Sequence, residues 1–572
     1  MPLEFRDADT FSWRIEKIAV IGPGIVGMPM AAMLAHARVT EGTDRPALVA
    51  VVQRDSPTSG WKVDAINRGR SPIGGIEPHL DRIVAETVAA GLLSATHDVG
   101  AVADADVILV CVQTDKKGYG PDYGPLTASL EGVAAALQRK PAGNVPLIVV
   151  ESTLAPSSMQ TVIKAHFAKY GLVEGRDILL GNSPNRVMPG RLVERVATSD
   201  KVVAGLHPLT PRLIRRLYSR IVTGGALLET NSMTAEVVKT LENAYRDVRI
   251  AYSAELARYC DEHDIDFYRV RDEANAGLTQ SDRASGDPNA VPSGGILVPM
   301  VGVGGHCLPK DGILLWWRAN ESGADTSRSL ILAARRVNDA SPAETIRLAE
   351  RRFGPIAGQP VAVMGAAYRF NSEDTRNSPS LVLARLLIER GCDVTVHDPF
   401  VKPHDQNLTK SGLESHFTGD LATALSAARY AFFCTAHRLY ADGWSAMLGQ
   451  ALSLAGIVDA CNLYRREDVA DDRIAYAGIG RGRQAPPGGF VEFAVEGFRS
   501  VERGVANELQ GLIAFLNDRY AEAAFNRVDF EEVRRIAGTC VTGCRIAAPG
   551  PVGDAPSWRG FTPRLVAVAA GL

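Results

Sequence analysis

The sequence predicts an α/β protein: two Rossmann-like, doubly wound domains joined by a long central helix, plus a C-terminal helical extension. Three observations carry this. Continuous apolar runs of strand length recur in both halves and end in glycine or polar turn residues, as strands buried on both faces of a parallel sheet do. Residues 230–263 keep helical apolar spacing without a proline, longer than an ordinary globular helix. The first apolar run, Lys17-Ile-Ala-Val-Ile21, opens onto Gly22-Pro-Gly-Ile-Val-Gly27 and then a helical pattern to His36.

Size and charge set the limits. A chain of 572 residues has room for roughly three or four domains with their own cores. The expected divisions are 1–205 (cofactor-binding), 206–340 (central helical, with a cysteine box), 341–482 (second nucleotide-type) and 483–572 (extension). A net charge of -3 offers no bulk attraction for nucleic acid or an anionic membrane, so neither is expected as a partner. The eight cysteines sit mostly in apolar strand-like or helical runs and read as reduced thiols. With no apolar run of membrane-spanning length and no apolar leader in residues 1–11, the expected location is cytoplasmic.

In the first domain each glycine of the G-x-G-x-x-G turn has a task. Gly22 makes the turn, Gly24 lets a pyrophosphate approach and Gly27 packs helix on strand, with Ile25 and Val26 between them. The second strand, residues 47–53, ends in Gln53-Arg54-Asp55. Asp55 suits the adenosine ribose, while Arg54 suits the adenine or a 2′-phosphate; NAD is the first choice over NADP. Strands over 106–112 and 146–151 follow, so Thr114, Glu151, Ser152 and Thr153 are expected at the carboxyl ends of strands, toward the cofactor. Ordinary turn and cap chemistry is their plainer reading.

On the central helix Lys239 and Asn243 are four residues apart and share one face; it also offers a spine and a dimerisation surface. Beyond it lies Gly304-Gly-His-Cys-Leu-Pro-Lys-Asp311. Glycines permit a sharp bend and close approach, and Pro309 suits the first turn of a helix whose positive end favours a thiolate at Cys307. If a helix starts there, Asp311 lies one turn from Cys307 on the same face. An inert buried cysteine in a glycine loop is the plainer alternative.

The second α/β unit is expected after Ser341-Pro342, with strands at 360–364, 392–398, 430–434 and 456–459. In the tail, residues 490–520 read as an amphipathic helix and 547–558 as a proline- and glycine-rich loop. Cys540 and Cys544 are too few for a metal site, and no metal is expected.

Taken in order, these motifs resemble the UDP-glucose/GDP-mannose dehydrogenase family of nucleotide-sugar 6-dehydrogenases. The resemblance runs from Lys17 to about Gly482. It rests on Gly22 to Gly27, Glu151-Ser-Thr-Leu-Ala-Pro156, Ala235 to Asn243, the cysteine box, Gly365-Ala-Ala-Tyr-Arg369 with Glu373-Asp-Thr-Arg-Asn-Ser-Pro379, and Tyr476-Ala-Gly-Ile-Gly480. Asn185-Arg-Val-Met-Pro-Gly190 and the Gly-Gly-His-Cys form look more like the UDP-N-acetylmannosamine dehydrogenase branch. The resemblance implies NAD-dependent oxidation of a sugar C6 alcohol to a carboxylate through a thiohemiacetal and a thioester on Cys307, serving surface polysaccharide synthesis. It implies that Lys239 and Asn243 stabilise oxyanion charge, that Thr153 and Asp311 position or activate water, and that Asp311 is the better base. The cofactor would be met by Gly22, Gly24, Ile25, Val26, Gly27, Arg54, Asp55, Thr114, Thr153 and Arg376. The UDP-sugar would be met by Asn185, Arg186, Val187, Lys239, Asn243, Gly304 and Arg369. The implied assembly is a homodimer through the long helix.

Three positions depart from the family pattern. Asn185 replaces a usual glutamate and cannot take a proton; an arginine that relatives place ahead of the box aligns near Ser293; and Cys461 stands where the UDP-glucose branch often has arginine. Three other readings remain: a UDP-glucose 6-dehydrogenase, a non-catalytic nucleotide-sugar sensor or scaffold, and a single-step hydroxy-acid dehydrogenase, which needs neither thiol nor second nucleotide half.

Overall fold

A computed structural model describes residues 13–571 apart from 75–76, 141–144, 188–189, 279–294, 444–446, 448, 450, 452, 470–472 and 541–543. Ser293, and Met188 and Pro189 of the 185–190 motif, lie outside the described residues. Two compact units make up the chain: Met1–Glu242 with Leu314–Ala324 and Gly511–Val541, and Asn243–Ile313 with Asp325–Gln510 and Thr542–Leu572.

The first unit is built on strands β1 (Lys17–Ile21), β2 (Leu48–Val52), β3 (Leu93–Thr96) and β4 (Val107–Val110), a hairpin of β5 (Asp115–Lys117) and β6 (Gly120–Asp122), then β7 (Leu147–Val150), β8 (Leu179–Asn182), β9 (Lys201–Gly205) and β10 (Leu227–Asn231). Apart from the hairpin they form one sheet of order β10-β9-β8-β7-β4-β1-β2-β3, parallel except where β8 meets β9. Valine and isoleucine on both faces of β1, β4 and β7 explain the continuous apolar runs: one face packs under the helix Gly27–His36, the other under Gly124–Leu137. The sheet continues past position 205, because the helix Leu209–Tyr218 buries an apolar stripe on it and returns the chain as β10 beside β9.

In the second unit β11 (Pro360–Met364), β12 (Asp393–His397), β13 (Phe417–Thr418), β14 (Tyr430–Phe433), β15 (Gly456–Asp459) and β16 (Ala475–Gly478) form an all-parallel sheet of order β13-β12-β11-β14-β15-β16. That order reverses at β11, the switch point where a doubly wound sheet opens for a ligand. Ser341-Pro342, where the second α/β unit is expected to begin, lies within a helix. Both residues are buried inside one continuous helix, Leu330–Phe353, whose N-terminus is capped by Ser329.

The central helix spans Ser232–Glu262 and the extension helix Phe490–Tyr520, as the apolar spacing predicts. From 232 to 260 no central-helix residue is exposed. Its half-buried positions at Lys239, Asn243, Arg246 and Ile250 trace one stripe. Tyr245, Tyr252 and Tyr259 on another face are covered by the extension of the same chain. Among the described residues, no helix is long and apolar enough to cross a membrane.

Candidate active site

The glycine turn after β1 has the shape a dinucleotide needs. Gly22 has φ +89°, and a Cβ there would lie 2.9 Å from the Cys111 carbonyl oxygen; Gly27 is pressed onto the Gly22 carbonyl. At Gly24 an added Cβ meets nothing within 4 Å, so the turn leaves open space over the helix N-terminus. Ile25 is exposed there beside half-buried Val26. Arg54 and Asp55 are both exposed just past β2, where an adenosine ribose would lie. Thr114 is buried after β4, its hydroxyl donating to the Thr153 carbonyl at 2.7 Å, which ties two strand ends together. Thr153 itself is half-buried.

Glu151, expected to face the cofactor, is only 2 % exposed. Its carboxylate accepts from Lys201 Nζ at 2.9 Å, from Tyr218 Oη and from the Asn185 amide. Lys201 also donates to Asn185 Oδ1 and to the Ser183 carbonyl, each at 3.0 Å. Burial drives the Lys201 ammonium down in pKa against the pull of Glu151, and pushes the neighbouring Cys111 and Tyr218 well up. The Asn185 side chain is thus taken up inside the protein, while the Asn185 backbone carbonyl accepts from Lys239 Nζ at 2.8 Å.

Arg186 is also turned inward. Its guanidinium bonds Glu242, the Asp200 carbonyl at 3.2 Å, Thr539 Oγ1 at 2.9 Å and the Ile536 carbonyl at 3.1 Å. With its side chain 6 % exposed, Arg186 braces the 185–187 loop against the extension helix Phe530–Ala537. Val187 beside it is half-buried. Lys201 and Glu236 carry weight that the sequence reading missed. Glu236 accepts the Ser157 and Met159 amides at 2.7 Å each, holding the segment that follows Thr153, and burial pushes its carboxyl up to about 8. A lysine in the otherwise apolar run Lys201-Val-Val-Ala-Gly205 was the available signal.

The second unit presents the thiol. The helix Leu308–Glu321 begins right after half-buried Cys307, whose carbonyl accepts from Lys310 N at 3.1 Å and Asp311 N at 2.9 Å. The thiol therefore sits at the positive end of that helix. Asp311 is fully buried one turn on; it receives the Asn243 amide at 2.6 Å and lies 3.1 Å from the Lys310 ammonium. A carboxylate so enclosed orients Asn243.

The loop ahead of the cysteine packs on residues 368–379. Gly305 has φ +87° and donates to the Arg376 carbonyl at 2.8 Å; Asn377 donates to the Gly305 carbonyl at 2.9 Å. Half-buried Gly304 lies against Tyr368 with no room for a side chain. Arg376 is gripped by Asp374 and lies within electrostatic reach of Cys307. Arg369, half-buried, stands over exposed Phe370 past the end of β11. The acid at the end of β12, Asp398, is turned inward: it accepts from Ala366 N, Ala367 N and the buried His437.

Comparison with known proteins agrees with this anatomy. The NAD binding domain of the UDP-glucose/GDP-mannose dehydrogenase family matches residues 16–222, the central domain 233–340 and the UDP binding domain 362–466. The chain belongs to that family. It is an NAD-dependent nucleotide-sugar dehydrogenase, and the open cradle at Gly24 fits the cofactor.

UDP-N-acetyl-D-mannosamine dehydrogenase of Pyrococcus horikoshii is 31% identical over 82% of this chain and 99% of its own length. NDP-N-acetyl-D-galactosaminuronic acid dehydrogenase of Ralstonia solanacearum is 31% identical over 67% of this chain and 83% of its own. Among solved structures, NDP-N-acetyl-D-galactosaminuronic acid dehydrogenase of Methanosarcina mazei superposes with TM-score 0.68 at 30% identity, covering 82% of this chain and 96% of that one. Residues 483–572 lie beyond the last of the three matched domains.

Proposed function

We propose that this dehydrogenase oxidises the C6 alcohol of a UDP-N-acetylhexosamine, with UDP-N-acetylmannosamine the first choice, to the uronate through covalent intermediates on Cys307. The observation that carries the chemistry is the Cys307 thiol, half-buried at the positive end of its helix and packed on the UDP binding domain. The choice of sugar rests on the named activities of relatives about 30% identical to the chain.

NAD supplies the acceptor for a hydride at each of two successive oxidations. The residues of the chain do the rest. Cys307 adds to the C6 aldehyde as a thiolate, giving a thiohemiacetal; loss of hydride from C6 leaves a thioester, and water releases the carboxylate and restores the thiol. The Lys239 ammonium, held by the Asn185 carbonyl, and the Asn243 amide, held by Asp311, meet the oxyanion that develops at C6. Thr153 positions water, and Arg369 meets the nucleotide-sugar phosphates. The uronate would serve surface polysaccharide synthesis.

A panel of UDP-N-acetylmannosamine, UDP-N-acetylglucosamine, UDP-N-acetylgalactosamine and UDP-glucose incubated with NAD tests the reading. The expected result is about two NADH per UDP-N-acetylhexosamine consumed, as two hydride losses require, with Cys307→Ser stalled before uronate. Turnover of UDP-glucose alone, or uronate formation by the serine variant, overturns it.

A further inference from the structure

Residues 511–541 of the extension fold as part of the first compact unit, although they lie beyond the last of the three matched domains. Several ties hold them there. Lys164 Nζ donates to Glu522 at 2.6 Å, Asn526 Nδ2 to the Leu206 carbonyl at 3.0 Å, and Asn231 Nδ2 to the Arg527 carbonyl at 2.8 Å. The last tie is of a different kind. The helix Phe530–Ala537 is capped at its start by Asp529, which accepts Glu532 N at 2.7 Å, and the carbonyls at its other end need donors. Arg186 supplies them. Its guanidinium donates to the Ile536 carbonyl at 3.1 Å and to Thr539 Oγ1 at 2.9 Å, and a cation is favoured at the negative end of a helix. Thr539 gives its own hydroxyl proton to the Ile536 carbonyl at 2.8 Å, which leaves its oxygen to accept from the arginine.

The same guanidinium pairs with Glu242 of the central helix and donates to the Asp200 carbonyl at 3.2 Å. Both side chains of the ion pair are buried, so water does not compete for the arginine. Glu242 lies three residues beyond Lys239 and shares its helix face. Asn185, next to Arg186 in the chain, accepts Lys239 Nζ on its backbone carbonyl at 2.8 Å. One guanidinium therefore links the end of the extension helix, the 185–187 loop and the turn of helix that carries Lys239. A brace needed for stability alone could fall anywhere on this surface, as the ties at Glu522, Asn526 and Arg527 do. This one falls beside the carbonyl that holds the lysine.

We propose that the end of this extension helix, through Thr539 and the Ile536 carbonyl, is a positioning element of the active site: it fixes the Arg186 guanidinium, and with it the Asn185 carbonyl that aims the Lys239 ammonium. This rests on the reading that Lys239 meets the oxyanion developing at C6. In the full chain, Thr539→Val keeps the shape of the side chain and removes the hydroxyl. Its kcat is expected to fall by about 10- to 10²-fold, as slight misplacement of a reacting group does, with the KM for NAD unchanged. Thr539→Ser is expected to restore kcat, and Asn526→Ala, which cuts a tie elsewhere on the extension, to keep it. Wild-type kcat in Thr539→Val overturns the proposal, even if the melting temperature falls, because the tie is then a structural brace only. An equal loss in Asn526→Ala, or no recovery with serine, overturns it as well. A second readout needs no turnover: acetylation of Lys239 by acetic anhydride without substrate, followed by mass spectrometry. Labelling is expected to be faster in Thr539→Val than in wild type; equal rates overturn the proposal whichever sugar the enzyme oxidises. Should the valine variant not fold, Thr539→Ala takes its place in both measurements.

Discussion

The Asn243 amide donates to Asp311 Oδ2 at 2.6 Å, and Asp311 is completely buried. This links a residue of the central helix to the helix that starts at Cys307, and it separates two roles that substitution can read. Asn243→Ala removes the proposed oxyanion donor and leaves one buried Asp311 oxygen without its partner; kcat should fall by about 10²–10³ and stability by about 1–3 kcal/mol. Asp311→Asn also strands the buried Lys310 ammonium, at a cost of about 3–5 kcal/mol, so kcat and melting temperature should fall together. Steady-state kinetics with thermal melts check both; a stable Asp311→Asn protein would refute the pairing.

Two glycines of the cofactor turn should respond in opposite ways. Gly24 faces open space, so Gly24→Val should keep the wild-type melting temperature while raising the KM for NAD by more than about tenfold, a loss of about 1.4 kcal/mol or more. Gly27 is in contact with the Gly22 carbonyl, so Gly27→Ala should lower the melting temperature itself. Equal loss of stability in both variants would mean that the turn leaves no room for a cofactor.

Asp261 gives a pH dependence with a defined sign. Burial pushes its carboxyl up to about 8 from a usual 3.8, against the Gly480 N–H, which donates to it at 2.9 Å. Between those values the unfolded chain has released this proton while the folded chain keeps it. Its contribution is fully present below about pH 4 and is lost as pH rises toward 8, at up to about 1.4 kcal/mol per unit. Asp261→Asn should therefore be more stable relative to wild type at pH 8 than at pH 5.5 in denaturant titrations. A difference that does not vary with pH would remove the assignment.

Much of the molecule is legible locally. The glycine turn, the buried strands, both long helices and the thiol at a helix start depend on short-range pattern: φ freedom at Gly22, apolar runs on two-sided sheets, helical periodicity and first-turn chemistry at Pro309. Lone charged residues were harder. Glu151 and Arg186 carry the signature of ligand-facing groups, yet both are internal, because each meets partners distant in sequence: Lys201 and Tyr218 for the first, Glu242 and Thr539 for the second.

By itself, then, the sequence determined the α/β class, the cofactor turn, the Lys239 and Asn243 face and the place of Cys307, since each follows from neighbours within a few turns of chain. Only the tertiary structure decided that Asn185 orients Lys239, that Asp311 serves Asn243 and that the tail covers the tyrosine face of the central helix. Burial and pairing depend on residues tens to hundreds of positions away, and local pattern carries no record of them.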